Sequence, residues 1–138
     1  MGTRSAIGYK TLEGKIRAVY CHWDGYVSNN GKILASNYTT ESAVRELIAL
    51  GDLSSLGETV GSRQNFDDPV KGTCIAYGRD RNETGVDAAT FDSHIELTAV
   101  IGQEYDYLFT PGEGWSVAHG NAHVTIDEAL SADMMQRI

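Results

Sequence analysis

The stretch from Lys15 to Trp23 limits the possible folds more than any other part of the chain, because it reads as a strand with apolar residues on both faces. Side chains at alternate positions of a strand point to opposite faces. The two sets are Ile16, Ala18 and Tyr20 on one face, and Val19, Cys21 and Trp23 on the other. We therefore expect helices of the same chain, or a partner subunit, to cover much of the sheet.

Further strands are predicted before and after this one in the sequence. Ser5 to Thr11 forms a hairpin with it through Glu13-Gly14, where Gly14 can take a positive φ. A third strand is predicted at Thr73 to Tyr77. A second hairpin is predicted around Pro111-Gly112-Glu113-Gly114, from strands Tyr105 to Thr110 and Trp115 to His119.

Helix signals fall between these strands. Thr39 or Thr40 is predicted to cap a helix that Gly51 ends in a left-handed conformation, and its apolar stripe is Val44, Leu47, Ile48 and Leu50. The other predicted helices are one from about Ser28 with Ser28 as its cap, one over 91–101, and one that starts at the capping box Thr125-Ile126-Asp127-Glu128. The C-terminal stripe is Ile126, Ala129, Leu130, Met134 and Ile138.

The connecting segments are predicted to lack regular structure. Asp52 to Gly57 is interpreted as a turn, and 57–71 and 82–90 as loops. The order of elements predicts an α+β fold, an antiparallel sheet of about five strands with three to four helices packed on it. At 138 residues the chain is predicted to form a single domain, 1–138, with 120–138 as a C-terminal helical extension.

Composition excludes several classes of protein. The formal net charge is -8, from 19 acidic and 11 basic side chains, which disfavours a general nucleic-acid binder. There is no run of eighteen apolar residues and no apolar leader after Met1, so we expect neither a membrane span nor a signal peptide. Cys21 and Cys74 are expected to be free, reduced thiols.

No arrangement of residues points clearly to catalysis. His22 and Asp24 could form a general-base pair, but a structural, hydrogen-bonded His22 is the simpler interpretation. His119 and His123 could share a metal only on one helical turn, and the intervening Gly120-Asn121 breaks such a turn. Cys21 and His22 are strand neighbours on opposite faces, so they form no nucleophile-base pair. We expect no catalytic residue, metal or cofactor.

Binding residues are easier to nominate. Trp23, Tyr26 and Tyr77 could stack on a flat ring, although sheet packing explains them equally well. Arginines in an acidic protein are natural phosphate ligands, and the candidates are Arg4, Arg79 and Arg81. Surface salt bridges with Asp80 or Glu83 are the alternative. Ser54 and Ser55 could bond a ligand phosphate or only nearby backbone groups.

Four segments together resemble a widespread, mostly uncharacterised family of small tailed-phage proteins. They are Met-x-Thr-Arg-Ser-x-Ile-Gly at the start, Val19-Tyr20-Cys21-His22-Trp23-Asp24-Gly25-Tyr26, the run Leu47 to Gly57, and Tyr77-Gly78-Arg79-Asp80-Arg81. The resemblance covers roughly residues 1–118. It implies phage origin and action in the host cytoplasm. Accessory phage proteins of this kind often counter host defence, and one class consists of sponges for cyclic-nucleotide signals of the anti-CBASS type.

The expected function is therefore sequestration of a host cyclic-nucleotide immune signal by a non-enzymatic phage protein. The expected ligand-binding residues are Arg4, Trp23, Tyr26, Ser54, Ser55, Arg79 and Arg81. The expected partners are the nucleotide and further copies of the chain in a homo-oligomer, without bulk nucleic acid or membrane. Two alternatives stay open: a protein-protein inhibitor of a host defence enzyme, and a small hydrolase using His22 and Asp24.

Overall fold

The computed structural model describes residues 3–93, 97, 104–119 and 122–130. In this part of the chain eight strands form one mixed sheet. They are β1 Ser5–Lys10, β2 Ile16–Cys21, β3 Leu53–Ser55, β4 Ile75–Ala76, β5 Ala89–Phe91, β6 Tyr105–Thr110, β7 Gly114–His119 and β8 Ala122–Thr125. The order is β4-β3-β2-β1-β6-β7-β8, and β5 pairs with β2 beside this path.

The sheet combines antiparallel and parallel pairs. The hairpins β1/β2, β6/β7 and β7/β8 are antiparallel. The pairs β1/β6 and β2/β3 are parallel and join strands that are far apart in sequence. Strand β2 meets β5 at Ile16 to Ala18 and β3 at Cys21, so β5 and β3 share one edge of β2.

The helices are short, and most of them fall in the stretch of chain that connects β2 to β3. A π-helical turn, Val27–Gly31, runs into α1, Lys32–Asn37, and α2 follows at Glu41–Ile48. A third helix, α3, spans Tyr77–Arg81, and residues 126–130 are also helical. None of the helices in the described part of the chain is both long and apolar enough to cross a membrane.

Each face of β2 is covered by the protein's own residues. Val19 and Cys21 face the larger core, which includes Leu34 of α1 and Val44 and Leu47 of α2. The opposite face is a smaller cluster, whose members are Ala6, Ile16, Ala18, Phe91 and Leu97. The apolar pattern of this strand is therefore satisfied within one chain, and homo-oligomerisation stays a prediction.

Locally encoded features match the sequence-based expectations. The oxygen Thr40 Oγ1 accepts the Ala43 N–H at 3.1 Å and caps α2. Gly51 ends the helical segment at φ +79°, where an added Cβ would lie 2.5 Å from Val86 O. The N–H of Glu128 donates to Thr125 Oγ1 at 3.2 Å, which is one of the two bonds of the predicted capping box. The long loop at 57–71 and both predicted hairpins are also present.

Other expectations need correction. The sheet is mixed and has more than the five antiparallel strands that were predicted. The prediction was wrong because strand pairing between distant segments leaves no local signal in the sequence. The predicted turn after Asp52 is strand β3, and the predicted loop 82–90 runs into β5. The third strand stops at Ala76 because α3 begins at Tyr77. The predicted tail extension contains β8, which pairs with β7.

Two predicted helices also differ. The helical segment after β2 starts two residues earlier than expected, with Tyr26 rather than Ser28 at its N-cap position. The predicted helix at 91–101 lies mostly outside the described residues, although Phe91 belongs to β5. In the C-terminal helix, Ile126 is buried, and Ala129 and Leu130 pack against the larger core. The remaining members of its predicted stripe, Met134 and Ile138, lie outside the described residues.

Candidate functional site

The turn that follows β2 is held tightly against the start of β1. The N–H of Gly25 donates to Thr3 O at 2.7 Å, and the Tyr107 hydroxyl donates to Gly25 O at 2.6 Å. A Cβ at Gly25 would lie 2.8 Å from both Ser5 Cβ and Thr3 O. Asp24 takes a left-handed φ of 56°, which aspartate tolerates better than most residues. The backbone of this turn therefore has little freedom.

A buried asparagine ties the same turn to both central strands. Asn30 is fully buried, and its Nδ2 donates to Ser5 Oγ at 3.2 Å and to Cys21 Sγ at 3.5 Å. Asn29 Nδ2 donates to Asn30 Oδ1 at 3.0 Å and to Asp24 O at 3.1 Å. Because buried amide groups are costly to leave unbonded, this network fixes the π-helical turn relative to the sheet.

Two aromatic rings are exposed on this fixed turn. Trp23 is 43% exposed and Tyr26 is 38% exposed. The backbone of Trp23 is held by donation of its N–H to Ser54 O at 2.9 Å, while its ring meets His22 edge-on with 4.7 Å between centroids. A large ring on a rigid backbone can bind a flat ligand with a small loss of conformational entropy.

The Tyr20 hydroxyl is the polar centre next to these rings. It lies 2.6 Å from His22 Nδ1, so His22 has the hydrogen-bonded partner that the sequence predicted. Burial raises the pKa of Tyr20, the nearby Arg4 charge opposes this, and Tyr77 and Asp52 add to it. Arg4, Tyr77 and Asp52 therefore lie within electrostatic reach of this hydroxyl.

Asp52 links Tyr20 to Tyr77. Its Oδ1 accepts the Tyr20 N–H at 2.9 Å, and its backbone O accepts the Tyr77 N–H at 3.2 Å. Its own N–H donates to Val86 O at 2.7 Å. Burial raises the pKa of the Asp52 carboxyl, and the bond from Tyr20 works against that shift.

Aromatic contacts continue beyond Tyr77 to an arginine. Phe66 stacks on Tyr77 with 5.6 Å between centroids, and the Arg81 guanidinium lies 4.4 Å from the Phe66 centroid. Arg81 also binds Glu83 at 2.7 Å. Trp23, His22 and Tyr20 form one series of ring contacts, Tyr77 and Phe66 form another, and Asp52 joins the two through its bonds to the backbones of Tyr20 and Tyr77. We call these five rings the aromatic ridge. Arg81 lies over Phe66 and Tyr77, and the charge of Arg4 acts on the Tyr20 hydroxyl.

The predicted phosphate ligand Arg79 lies elsewhere. Its guanidinium donates to both Asp80 carboxylate oxygens, at 2.9 and 3.1 Å, to Val60 O at 2.8 Å and to Cys74 O at 2.9 Å. The Arg79 side chain is 16% exposed, and that of Asp80 is fully buried. Arg79 thus joins the 57–71 loop to α3, and these bonds leave it little capacity for a phosphate.

The structure brings some predicted ligand residues together and separates others. Trp23 lies on the ridge, Arg81 lies over two of its rings, and Tyr26 is exposed on the adjoining turn. Arg4 is exposed, and its charge acts on the Tyr20 hydroxyl. Ser54 is buried and Ser55 half-buried in β3, where the Ser54 carbonyl supports Trp23. Sequence reasoning missed Tyr20, Asp52 and Phe66. The i, i+2 spacing of Tyr20 and His22 was a usable signal, whereas Phe66 stands in a loop without periodicity.

The potentially reactive side chains among the described residues are not arranged for catalysis. Burial raises the pKa of Cys21 to about 12, and burial also raises that of Cys74. Neither His22 nor Asp24 bonds the other in the described part of the chain, since His22 bonds Tyr20 instead. No group of three potential metal-ligating side chains occurs among the described residues. The side chains of His119 and His123 lie outside the description.

Surface grooves are found away from the ridge. One of about 470 Å³ runs along the π-helical turn and α1, and its lining includes Asn29, Lys32 and Glu58. Another of about 300 Å³ lies beside Trp115 and Ile126. The ridge itself is an open, partly buried surface rather than a part of either groove.

Comparisons with protein-family models, with curated proteins and with solved structures find no match for this chain.

Proposed function

We propose that this protein is a phage anti-defence protein that binds and sequesters a cyclic-nucleotide immune signal in the host cytoplasm. The observation that carries the proposal is the exposed Trp23 ring on an immobilised turn, in edge contact with His22 of the aromatic ridge. The resemblance of the four sequence segments to small phage proteins supports the biological setting.

The ridge suits a ligand with flat bases and phosphates. Stacking of a base on an aromatic ring contributes about 1–3 kcal/mol. Arg4 and Arg81 can supply charge-assisted bonds to phosphate oxygens, and Tyr26 can add a second ring beside Trp23. The net charge of -8 repels polyanions at longer range, so binding depends on these local contacts. A small ligand is therefore favoured over bulk nucleic acid.

Binding without turnover is supported by the state of the nearby reactive groups. Cys21 is buried with a raised pKa, so the thiolate that would act as a nucleophile is scarce. His22 shares a hydrogen bond with Tyr20, which reduces its availability as a general base. This arrangement weighs against the hydrolase that His22 and Asp24 suggested from sequence.

A protein-protein inhibitor is the second candidate. The exposure of Trp23 and Tyr26 on one rigid turn favours it, because exposed aromatic side chains are common binding anchors. The acidic balance would suit a basic surface on a host defence enzyme. Formation of a homo-oligomer, most simply a dimer, belongs to either proposal.

The test is incubation of the purified protein with a panel of cyclic nucleotides, followed by denaturation and chromatography of the released material. Tight binding with intact recovery supports sequestration, and a chemically altered product contradicts it. Trp23→Ala is expected to weaken binding roughly tenfold or more. Leu12→Ala is the matched control, because Leu12 is a 94% exposed apolar residue on the β1/β2 hairpin. Absence of nucleotide binding would favour the protein-protein inhibitor.

A further inference from the structure

Asp52 occupies an unusual position in the centre of the aromatic ridge. It lies immediately before β3, and it bonds the backbone of Tyr20 on one side and of Tyr77 on the other. Both of those residues contribute rings to the ridge. The Asp52 carboxylate is thus held at the backbone of Tyr20, and its main-chain oxygen at the backbone of Tyr77, so the residue lies between the two series of rings.

The Asp52 carboxylate keeps unused capacity to accept hydrogen bonds. Within the described part of the chain, its Oδ1 accepts the Tyr20 N–H, and neither carboxylate oxygen is paired with a basic side chain. The side chain is half-buried rather than sealed, so a ligand can reach it. A carboxylate that is partly desolvated and lacks a cation gains strongly from a ligand that offers donors.

The edges of purine bases differ in the donors that they offer. Guanine presents two adjacent donors on its Watson-Crick edge, N1–H and the 2-amino group, which match the two oxygens of a carboxylate. Adenine presents the unprotonated N1 next to its 6-amino group, so a carboxylate facing this edge meets one acceptor and one donor. Carboxylates read bases by accepting from such donor groups, and hydrogen bonds to the Watson-Crick edge distinguish a base that is already stacked.

We propose that Asp52 is the specificity-determining residue of the ridge and selects a cyclic nucleotide that contains guanine over one that contains only adenine. This inference rests on the proposed function and names its ligand class. In this arrangement the rings of the ridge would stack on the base, Arg4 would supply charge for a phosphate, and Asp52 would accept from the base edge. The bond from Tyr20 to Oδ1 also orients the carboxylate, because it fixes one of its two oxygens.

The experiment is isothermal titration of the full chain with cyclic di-GMP, cyclic di-IMP and cyclic di-AMP. Hypoxanthine has N1–H but lacks the 2-amino group, so the three probes remove the two donors stepwise. We expect cyclic di-GMP to bind at least tenfold more tightly than cyclic di-AMP, with cyclic di-IMP between them, as a good base contact provides. These titrations need no variant and so do not depend on a folded mutant.

Asp52→Asn is the accompanying variant. It keeps the size of the side chain and an oxygen that can accept the Tyr20 N–H, but it replaces one carboxylate oxygen with an amide donor. We expect cyclic di-GMP to lose at least tenfold in affinity, while cyclic di-AMP changes less than threefold. Asp24→Asn is the matched control, since it removes the same charge from the exposed turn at a φ of 56° that asparagine tolerates.

The outcomes separate the two proposals. A guanine preference that Asp52→Asn abolishes and Asp24→Asn preserves supports both. Tight binding of all three probes with equal affinity, or an equal loss for all of them in Asp52→Asn, overturns the role of Asp52 but leaves sequestration standing. Failure of every cyclic nucleotide to bind overturns both.

Discussion

Replacement by alanine should affect stability at Arg79 and ligand affinity at Arg81, although the two residues are only two positions apart. Arg79 is a largely buried structural residue that bonds Asp80, Val60 O and Cys74 O. Arg81 is half exposed, pairs with the partly exposed Glu83 and lies over the rings of Phe66 and Tyr77. Arg79→Ala should therefore destabilise the fold, and Arg81→Ala should mainly weaken ligand binding.

The magnitudes follow from burial. Arg79→Ala leaves the buried Asp80 carboxylate with only the N–H donors of Ala76 and Gln64. Removal of one partner of a buried ion pair costs about 3–5 kcal/mol. For a chain of this length that corresponds to a fall in melting temperature of roughly 10–20 °C. An exposed pair such as Arg81–Glu83 contributes about 0–1 kcal/mol, and an exposed cation–π contact about 0.5–1 kcal/mol.

The pH dependence provides an internal check. Burial by itself would raise the pKa of Asp80, but the bonds from Arg79, Ala76 and Gln64 hold it below the ordinary value of 3.8. A depressed aspartate pKa stabilises the fold above that value, and this stability is lost as pH falls through the folded-state pKa. The stability difference between the native sequence and Arg79→Ala should therefore be full near pH 7 and shrink below about pH 4.

The assay is chemical and thermal denaturation of both variants from pH 7 down to pH 3, together with nucleotide titration at pH 7. Arg81→Ala should melt within a few degrees of the native protein and lose roughly tenfold or more in ligand affinity. Equal melting temperatures for the two variants at pH 7 would refute the structural assignment of Arg79. A stability difference that is independent of pH would refute the part given to Asp80.

Three further predictions test the turn, the thiols and self-association. Gly25→Ala should destabilise the fold by about 1–3 kcal/mol in denaturant titration, because its Cβ would lie 2.8 Å from Ser5 Cβ. The control is Gly112→Ala, whose Cβ would meet nothing within 4 Å, so that it should show only the backbone strain of its φ of +85°. Cys21 should react far more slowly with iodoacetamide at pH 7 in the folded protein than in denaturant, since burial raises its pKa to about 12, and equal rates would contradict its burial. Light scattering at micromolar concentration should show a homo-oligomer, and a monomer at that concentration would contradict this prediction.

Features encoded within one turn of the chain were predictable from sequence. Thr40 caps α2 and Gly51 ends the segment because each acts through its own backbone neighbourhood. The two hairpins were predictable for the same reason, since each strand pairs with its immediate successor. The parallel pairing of β1 with β6 was not predictable, because it joins residues about a hundred positions apart and depends on the packing of the whole core.

The candidate site shows the same division. Trp23 and Tyr26 were nominated from sequence as stacking residues, and both are exposed, but sequence alone could not separate this role from sheet packing. The position of Arg79 was not predictable, because it depends on how the loop that contains Val60 is placed against α3, and this loop has no periodic signal. The bond between Asp52 and the Tyr20 N–H could not be predicted for a related reason, since it depends on the pairing of β2 with β3.

The proposed function requires that the aromatic ridge binds a cyclic nucleotide and releases it unchanged. The most direct measurement is equilibrium binding of cyclic di-GMP to the native protein and to Trp23→Ala, with chromatography of the ligand after denaturation. We predict saturable binding, intact recovery of the ligand, and a loss of at least tenfold in affinity for Trp23→Ala at an unchanged melting temperature. Recovery of a hydrolysed product, or equal affinity of the two proteins, would contradict it.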